Sequence, residues 1–354
     1  MNLIFILSTW AQAVPASPDY PGHCQSPAWS PDGSRLSWEV NYLERKAIDL
    51  YVATFNESAG TPRKISPPRP ASSSLTEGFA GNDDSVAHEL SFSPSSIARF
   101  IYSSSGSSRD YDLFLDSGGS LAAAPGTDGG AVWSPDGMRV AFSSARTGQG
   151  DLYLLDMRNP GGAPLRLTGD ESASELYAAW SPDSRAIAFV GHTPKGDNIW
   201  LIDNLDFPAP RPITTWNHTQ TRPSWSPDGK NLAFYSNHND PNRYDLYSTT
   251  LGGVPLLIAT DVQMNPRGPA WSPDGRYLIY VKQNEAAFNP IYAAPIADPS
   301  AARAIPTGTV GNDDLAVVRA ASGVEWLAVA AQGRVSDTVR DFRRIYVMRL
   351  PKLP

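Results

Sequence analysis

One cysteine, Cys24, stands in 354 residues, so the chain can form neither an internal disulfide nor a Cys-based metal cage, and cysteine usage does not identify its compartment. Basic residues are few and scattered. Lys and Arg number 29 against 36 Asp and Glu, and a net charge of -7 without a basic stripe excludes nucleic acid as the natural partner. No run approaches the roughly 18 apolar residues that cross a bilayer as a helix, and no segment reads as a long amphipathic helix. Also missing are the Gly-x-Ser-x-Gly elbow, the His-Glu-x-x-His zinc helix, the phosphate loop and a Gly-x-Gly-x-x-Gly turn in a βαβ setting. No motif marks an enzyme.

What is plentiful points to strands. Trp (10), Tyr (14) and Phe (12) accompany the turn formers Pro (32) and Gly (28), while only 18% of residues are charged, an all-β palette. At this length the chain is either two domains or an array of repeats. It repeats. The core of "PSWSPDGKNLAFYSN" (223 to 237) returns with its turn aromatic at Trp29, Phe92, Trp133, Trp180, Trp225 and Trp271, at intervals of 41 to 47 residues after a longer first one. An aliphatic-aromatic pair follows each turn, as in Leu50-Tyr51, Leu152-Tyr153 and Leu246-Tyr247. A short run ending in Thr or Ser follows most pairs, as in "LRLTG" and "LLIAT". A seventh unit has a degraded turn at Ser322-Gly323 and the pair Ile345-Tyr346.

Each unit is thus four antiparallel strands of about 5 residues. Such a small twisted sheet cannot bury both faces alone, so the units must stack radially. The predicted fold is an all-β β-propeller of seven four-stranded blades, approximately 26–66, 88–123, 130–168, 176–215, 222–260, 268–307 and 314–350. The stretch 67–87, with the Ser/Pro-rich "SPPRPASSS", reads as a surface insertion. Residues 3–9 (LIFILST) resemble "PITTW" and are expected to close the ring as the missing fourth strand of the last blade. The same stretch, followed by Ala-x-Ala, reads alternatively as a signal peptide cleaved after Ala13. The two readings compete.

The turn itself builds rather than reacts. Pro fixes φ at the first corner, Asp bonds nearby amides, and Gly takes the positive φ that releases the next strand. Trp29 with Asp32, Trp133 with Asp136, Trp180 with Asp183, Trp225 with Asp228, and Trp271 with Asp274 are therefore assigned structural roles. In the fourth unit Ser184 stands where Gly is wanted, so that turn must carry strain or change type.

The Trp-Ser-Pro-Asp-Gly turn, followed by a strand such as "KNLAFYSN" and then "DLYSTTLGG", resembles the repeat of the TolB-like propellers, also called PD40 or WD40-like repeats, over nearly the whole chain. TolB carries a separate α/β domain before a six-bladed propeller, so six blades is the alternative count. Here the first repeat begins by Trp29, without such a domain before it in this sequence. The resemblance implies a monomeric propeller used for binding a protein or peptide, in the periplasm or outside the cell, and not spanning the membrane.

Function is expected on the face opposite the repeated turns, where the variable loops gather. Candidate binding residues there are Asp83, Asp84, Asp128, Asp170, Trp216, Arg222, Arg267, Asp313 and Asp314. The phrase "GNDD" occurs at 81–84 and again at 311–314, just before an inner strand, and an acidic mouth would attract a cationic peptide or Ca2+. His192, His218 and His238 converge by topology and form a speculative divalent-metal set, against the ordinary tendency of polar loops to collect histidine. No cofactor is implied otherwise. A metal-dependent lyase or hydrolase of saccharides is the alternative function.

Overall fold

The second strand of each repeat reads apolar on both sides, and the fold explains why: it is sandwiched between neighbouring sheets. The computed structural model describes residues 12–353 apart from 43–46, 57–63, 66–68, 71–86, 95–99, 106–109, 117–119, 123, 170–172, 195, 284–287, 336–337 and 340–341. Among the described residues the chain is strands, turns and one 3-10 turn at Pro299–Ala301.

Each sheet begins with the strand that ends at a turn aromatic and adds its neighbours in chain order. His23–Trp29, Arg35–Tyr42 and Ala47–Asn56 pair successively, and Ala87–Phe92, Phe100–Ser104, Asp112–Leu115 and Ser120–Leu121 do the same. So do Asp128–Trp133, Arg139–Ser144, Asp151–Asp156 and Leu165–Arg166. From Ser174 to Val262 two antiparallel groups merge through a short parallel pair, Gly196 with His218 and Asp197 with Thr219. Ala270–Trp271 opens the next sheet, which ends at Arg303–Ile305.

The last sheet takes its outer strand from the other end of the chain. Leu315–Arg319, Glu325–Val335 and Arg344–Arg349 are followed by Val14–Pro15, with Val14 opposite Val347 and Pro15 opposite Tyr346. The expected closing stretch 3–9 lies outside the described residues. Val14–Pro15 follows directly on the stretch for which the two readings compete. Arg69–Pro70 pairs with Tyr51 and Val52, which places the start of the expected insertion 67–87 within the first sheet. Residues 71–86 lie outside the described set.

Cores form between sheets. In Arg139–Ser144, Val140 and Phe142 pack back onto Ile101 and Leu113, while the intervening Ala141 packs forward onto Trp180 and Ile187. Alternation thus sends successive side chains to two different neighbours. A fully buried ring such as Phe142 contributes roughly 1.5–3 kcal/mol. The seam between ends is as apolar as the rest: Trp326, Ala328 and Val347 share one core with Trp29, Trp38 and Tyr51.

The repeated turns behave as fixtures. Ser30 Oγ donates to Asp32 Oδ1 (2.6 Å) and accepts from Arg35 N (2.9 Å), and the same arrangement recurs at Ser134, Ser181, Ser226 and Ser272. Partial burial pushes the carboxyls of Asp32, Asp136 and Asp274 up, but the serine hydroxyls and backbone amides outweigh it. For Asp183 and Asp228 the serine hydroxyl is the main influence, and all five acids sit below the ordinary carboxylate value. The indoles of Trp180, Trp225 and Trp271 reach back to Val132 O, Ala179 O and Ser224 O at 3.1, 3.1 and 3.3 Å, tying each sheet to the one before. Ser184 holds the glycine conformation at φ 61, so the fourth turn keeps its type and bears the strain.

Candidate functional site

Three residues before each turn aromatic the inner strand bulges. Ladder register shifts between Gln25 and Ala28, His88 and Ser91, Gly129 and Val132, Leu176 and Ala179, and Thr221 and Ser224. The bulged residues Ser26, Glu89, Gly130, Tyr177 and Arg222 all have positive φ, between 50 and 62, and Gly268 takes the same place before Trp271. A left-handed backbone costs a non-glycine residue about 1–2 kcal/mol. Four such residues stand in one ring, and strain concentrated in one place marks a site worth explaining.

The ring surrounds a central cavity of 910 Å³. At the end of the repeated turns it is lined by Trp29, Trp133, Trp180 and Pro182, and toward the opposite end by Glu39, His88 and Tyr111. The His88 and Tyr111 rings meet edge to face at 5.0 Å.

Carboxylates pass from sheet to sheet around one side of this cavity. Asp314 Oδ2 accepts from Ser26 N (2.8 Å), Glu39 Oε1 from Glu89 N (3.1 Å), and Glu89 Oε2 from Gly130 N (2.7 Å). Gln25 Nε2 donates to the other oxygen of Glu39 at 3.0 Å. Burial, with the nearby Glu39 charge, pushes the Asp314 carboxyl up to about 6 against the Ser26 amide and the two arginines. Arg267 spans the cavity: its Nε donates to Ser26 O (3.2 Å) and its Nη1 to Leu90 O (2.8 Å). Desolvation lowers its pKa, opposed by Glu39, Glu89 and Asp314. Arg222 donates to Pro266 O and lies 3.6 Å over the Tyr177 ring, a cation–π contact.

Of the sequence candidates, Arg222 and Arg267 line the cavity, and Asp314 accepts from the amide of Ser26 in its wall. Asp128, Asp313 and Trp216 make other contacts. Asp313 is paired with Arg343, and the fully buried Asp128 with Arg146 at 3.0 Å, so both are already neutralised within the chain. Asp83, Asp84 and Asp170 lie outside the described residues. Trp216, expected at the opening, stacks on His238 at 4.9 Å and packs edge-on to Tyr247. His192 Nδ1 meets Asp197 Oδ1 at 2.5 Å, and the parallel pair sets His218 opposite Gly196, so the topology does bring two of the histidines near. Among the described residues, however, no three His, Cys, Asp or Glu side chains are grouped to hold a metal ion. Sequence reasoning missed Glu39, Glu89, Tyr177 and Ser26. The available signal was the position three before the turn aromatic, where Ser, Glu, Gly, Tyr, Arg and Gly differ within an otherwise repeated phrase.

Comparison with known proteins decides the family. The model of the TolB β-propeller domain (PD40) matches residues 91–310. The chain belongs to the TolB β-propeller family. An uncharacterized protein of Agrobacterium fabrum is 27% identical over 137 residues, 35% of this chain and 45% of that protein. An uncharacterized peptidase of Bacillus subtilis, YuxL, is 28% identical over 107 residues, 28% of this chain and 16% of the peptidase. The chain thus spans less than half the length of either relative. The crystal structure of TolB from Acinetobacter baumannii superposes with a TM-score of 0.51 at 16% identity, covering 78% of this chain and 62% of that one, a likeness of fold. Among the described residues of this family member no helix is long and apolar enough to cross a membrane, which leaves β-barrels aside.

Proposed function

We propose that this TolB-family propeller is a non-catalytic scaffold that binds a protein or peptide through its central cavity, in the cell envelope or outside the cell. The observation that carries this reading is the ring of left-handed residues around the 910 Å³ cavity. Folding alone would favour glycine at every one of these positions, yet Ser26, Glu89, Tyr177 and Arg222 keep side chains there. The cavity combines apolar walls with a few placed charges, the usual composition of a recognition site. Support for export is the Ala-x-Ala that ends one residue before the closing pair at Val14–Pro15.

Changing His88 and Tyr111 together to alanine tests the site. Both line the end of the cavity remote from the repeated turns. The double variant is expected to lose the partner that co-purifies from the source organism while its Tm stays within a degree or two of the parent. Full retention of that partner would move binding off the cavity.

A further inference from the structure

The chain displays one recognition chemistry three times. The amides of Ser26, Glu89 and Gly130, in successive bulges, each receive a carboxylate from the sheet before: Asp314, Glu39 and Glu89. The next two bulges, at Tyr177 and Arg222, have no such cap among the described residues. The reason is local: Gly130 has no side chain where Glu89 supplies its carboxylate, and Tyr177 puts an aromatic ring there. Arg222 stands on this uncapped arc, and Arg267, beside the next bulge at Gly268, reaches across the cavity to Ser26 O and Leu90 O on the capped side.

Each of them keeps one donor in reserve. Among the described residues Arg222 Nε and Arg267 Nη2 are buried without a hydrogen-bond partner, a rare state for guanidinium nitrogens. Arg222 is anchored through Pro266 O, next to the backbone of Arg267, and its plane is set by the Tyr177 ring 3.6 Å away. The three acids are engaged by backbone amides and their charges bear on Arg267, yet among the described residues none of them bonds Arg222 Nε or Arg267 Nη2. A planar fork with spare N–H groups beside an aromatic ring matches a carboxylate.

We propose that the arc formed by Tyr177, Arg222 and Arg267 takes a carboxylate of the bound polypeptide, so that the ligand supplies the cap that the chain supplies at the other bulges. This rests on the cavity being the binding surface. Both spare nitrogens are occluded, so the carboxylate reaches them only as the two guanidinium groups shift, Arg267 giving up its longer bond, 3.2 Å to Ser26 O. The walls formed by Trp133, Trp180 and Pro182 favour an apolar residue beside the carboxylate.

Four capped dipeptides test the proposal by ligand-observed NMR: N-acetyl-Phe-Leu as free acid and as amide, and N-acetyl-Glu-Leu-amide beside N-acetyl-Gln-Leu-amide. At least one carboxylate form is expected to bind ten-fold or more tightly than its neutral counterpart, and Arg222→Gln should erase the difference. A preference confined to the first pair assigns a chain terminus, and one confined to the second an acidic side chain. Arg267→Gln gives up two backbone bonds, so it is read only if its Tm shows a folded protein; Arg222→Gln carries the test otherwise. Equal affinity of acid and amide, a difference that survives Arg222→Gln, or no binding by any of the four overturns the carboxylate site. Charge-independent binding that is lost in the His88→Ala, Tyr111→Ala variant would sink this inference and leave the cavity reading intact.

Discussion

Replacing Ser184 by glycine weighs the strain of the fourth turn against a bond that the serine makes. Ser184 has φ 61 where the other intact turns have glycine, so Ser184→Gly relieves about 1–2 kcal/mol of left-handed backbone. Glycine gives back about 0.5–1 kcal/mol through the freer unfolded chain. The hydroxyl also accepts from Asp136 N at 3.0 Å, across to the preceding sheet, and losing that bond costs about 1 kcal/mol. The Arg139 contact to Ser184 O, 2.6 Å, is to backbone and is retained. The sum is close to zero, within about 0.5 kcal/mol. Ser26→Gly provides the control, because Ser26 has φ 50 and its hydroxyl makes no hydrogen bond among the described residues. That change should stabilise the chain by about 0.5–1 kcal/mol, from the same two backbone effects. Urea unfolding of both variants measures the difference, expected at about 1 kcal/mol. Ser184→Gly as stabilising as Ser26→Gly would show that the bond between sheets contributes nothing, and destabilisation by either change beyond about 1 kcal/mol would refute the strain argument.

Other outcomes follow from single contacts. Asp314, with its folded value raised to about 6, holds its proton more tightly in the native state than in the unfolded chain. Its contribution is therefore present below the ordinary carboxylate value and is lost as pH rises toward and through 6. Asp314→Asn should flatten the urea midpoint between pH 4.5 and 7.5, and an unchanged slope would contradict the assignment. The turn acids have the opposite sign: Asp32, Asp136, Asp183, Asp228 and Asp274 stabilise above the ordinary carboxylate value, and that contribution is lost as pH falls further. A chain lacking residues 1–13 keeps Val14–Pro15 but gives up the bond from Ala13 N to Thr307 O (3.0 Å), so it should fold at a cost of about 1 kcal/mol. Ser17→Ala in that chain should cost about 1–2 kcal/mol, since Ser17 Oγ accepts from Ile345 N at 3.0 Å; calorimetry checks both. Trp225→Phe removes the indole bond to Ala179 O and should lower stability by about 1 kcal/mol, with no change expected if the indole only fills space.

The fold was legible because every repeat carries the same local chemistry. Ser-Pro-Asp-Gly fixes a turn whatever surrounds it, and the strand after it is apolar on both sides because two sheets cover it, as Val140, Ala141 and Phe142 show. The cavity was less legible. Arg222, Arg267 and Asp314 were in view as charges near the mouth, but whether an acid is free or already paired is a property of the folded neighbourhood. Asp128 meets an arginine 18 residues away and Asp313 one 30 residues away. Glu39 stayed hidden inside an apolar strand, since its role depends on the amide of Glu89 in the next sheet. The ring contacts of Trp216 with His238 and Tyr247 were likewise out of reach, because they join it to a neighbouring hairpin.

Site-specific photo-crosslinking tests the central claim most directly. Benzoylphenylalanine is placed either at Tyr111, lining the cavity, or at Val254, 92% exposed on an outer loop, and each protein is irradiated in the source organism. A binding propeller that works through its cavity predicts one defined polypeptide adduct from position 111, lost on Arg222→Gln, and none from position 254. An adduct from 254 with none from 111 would place the partner on the outer rim and contradict the account.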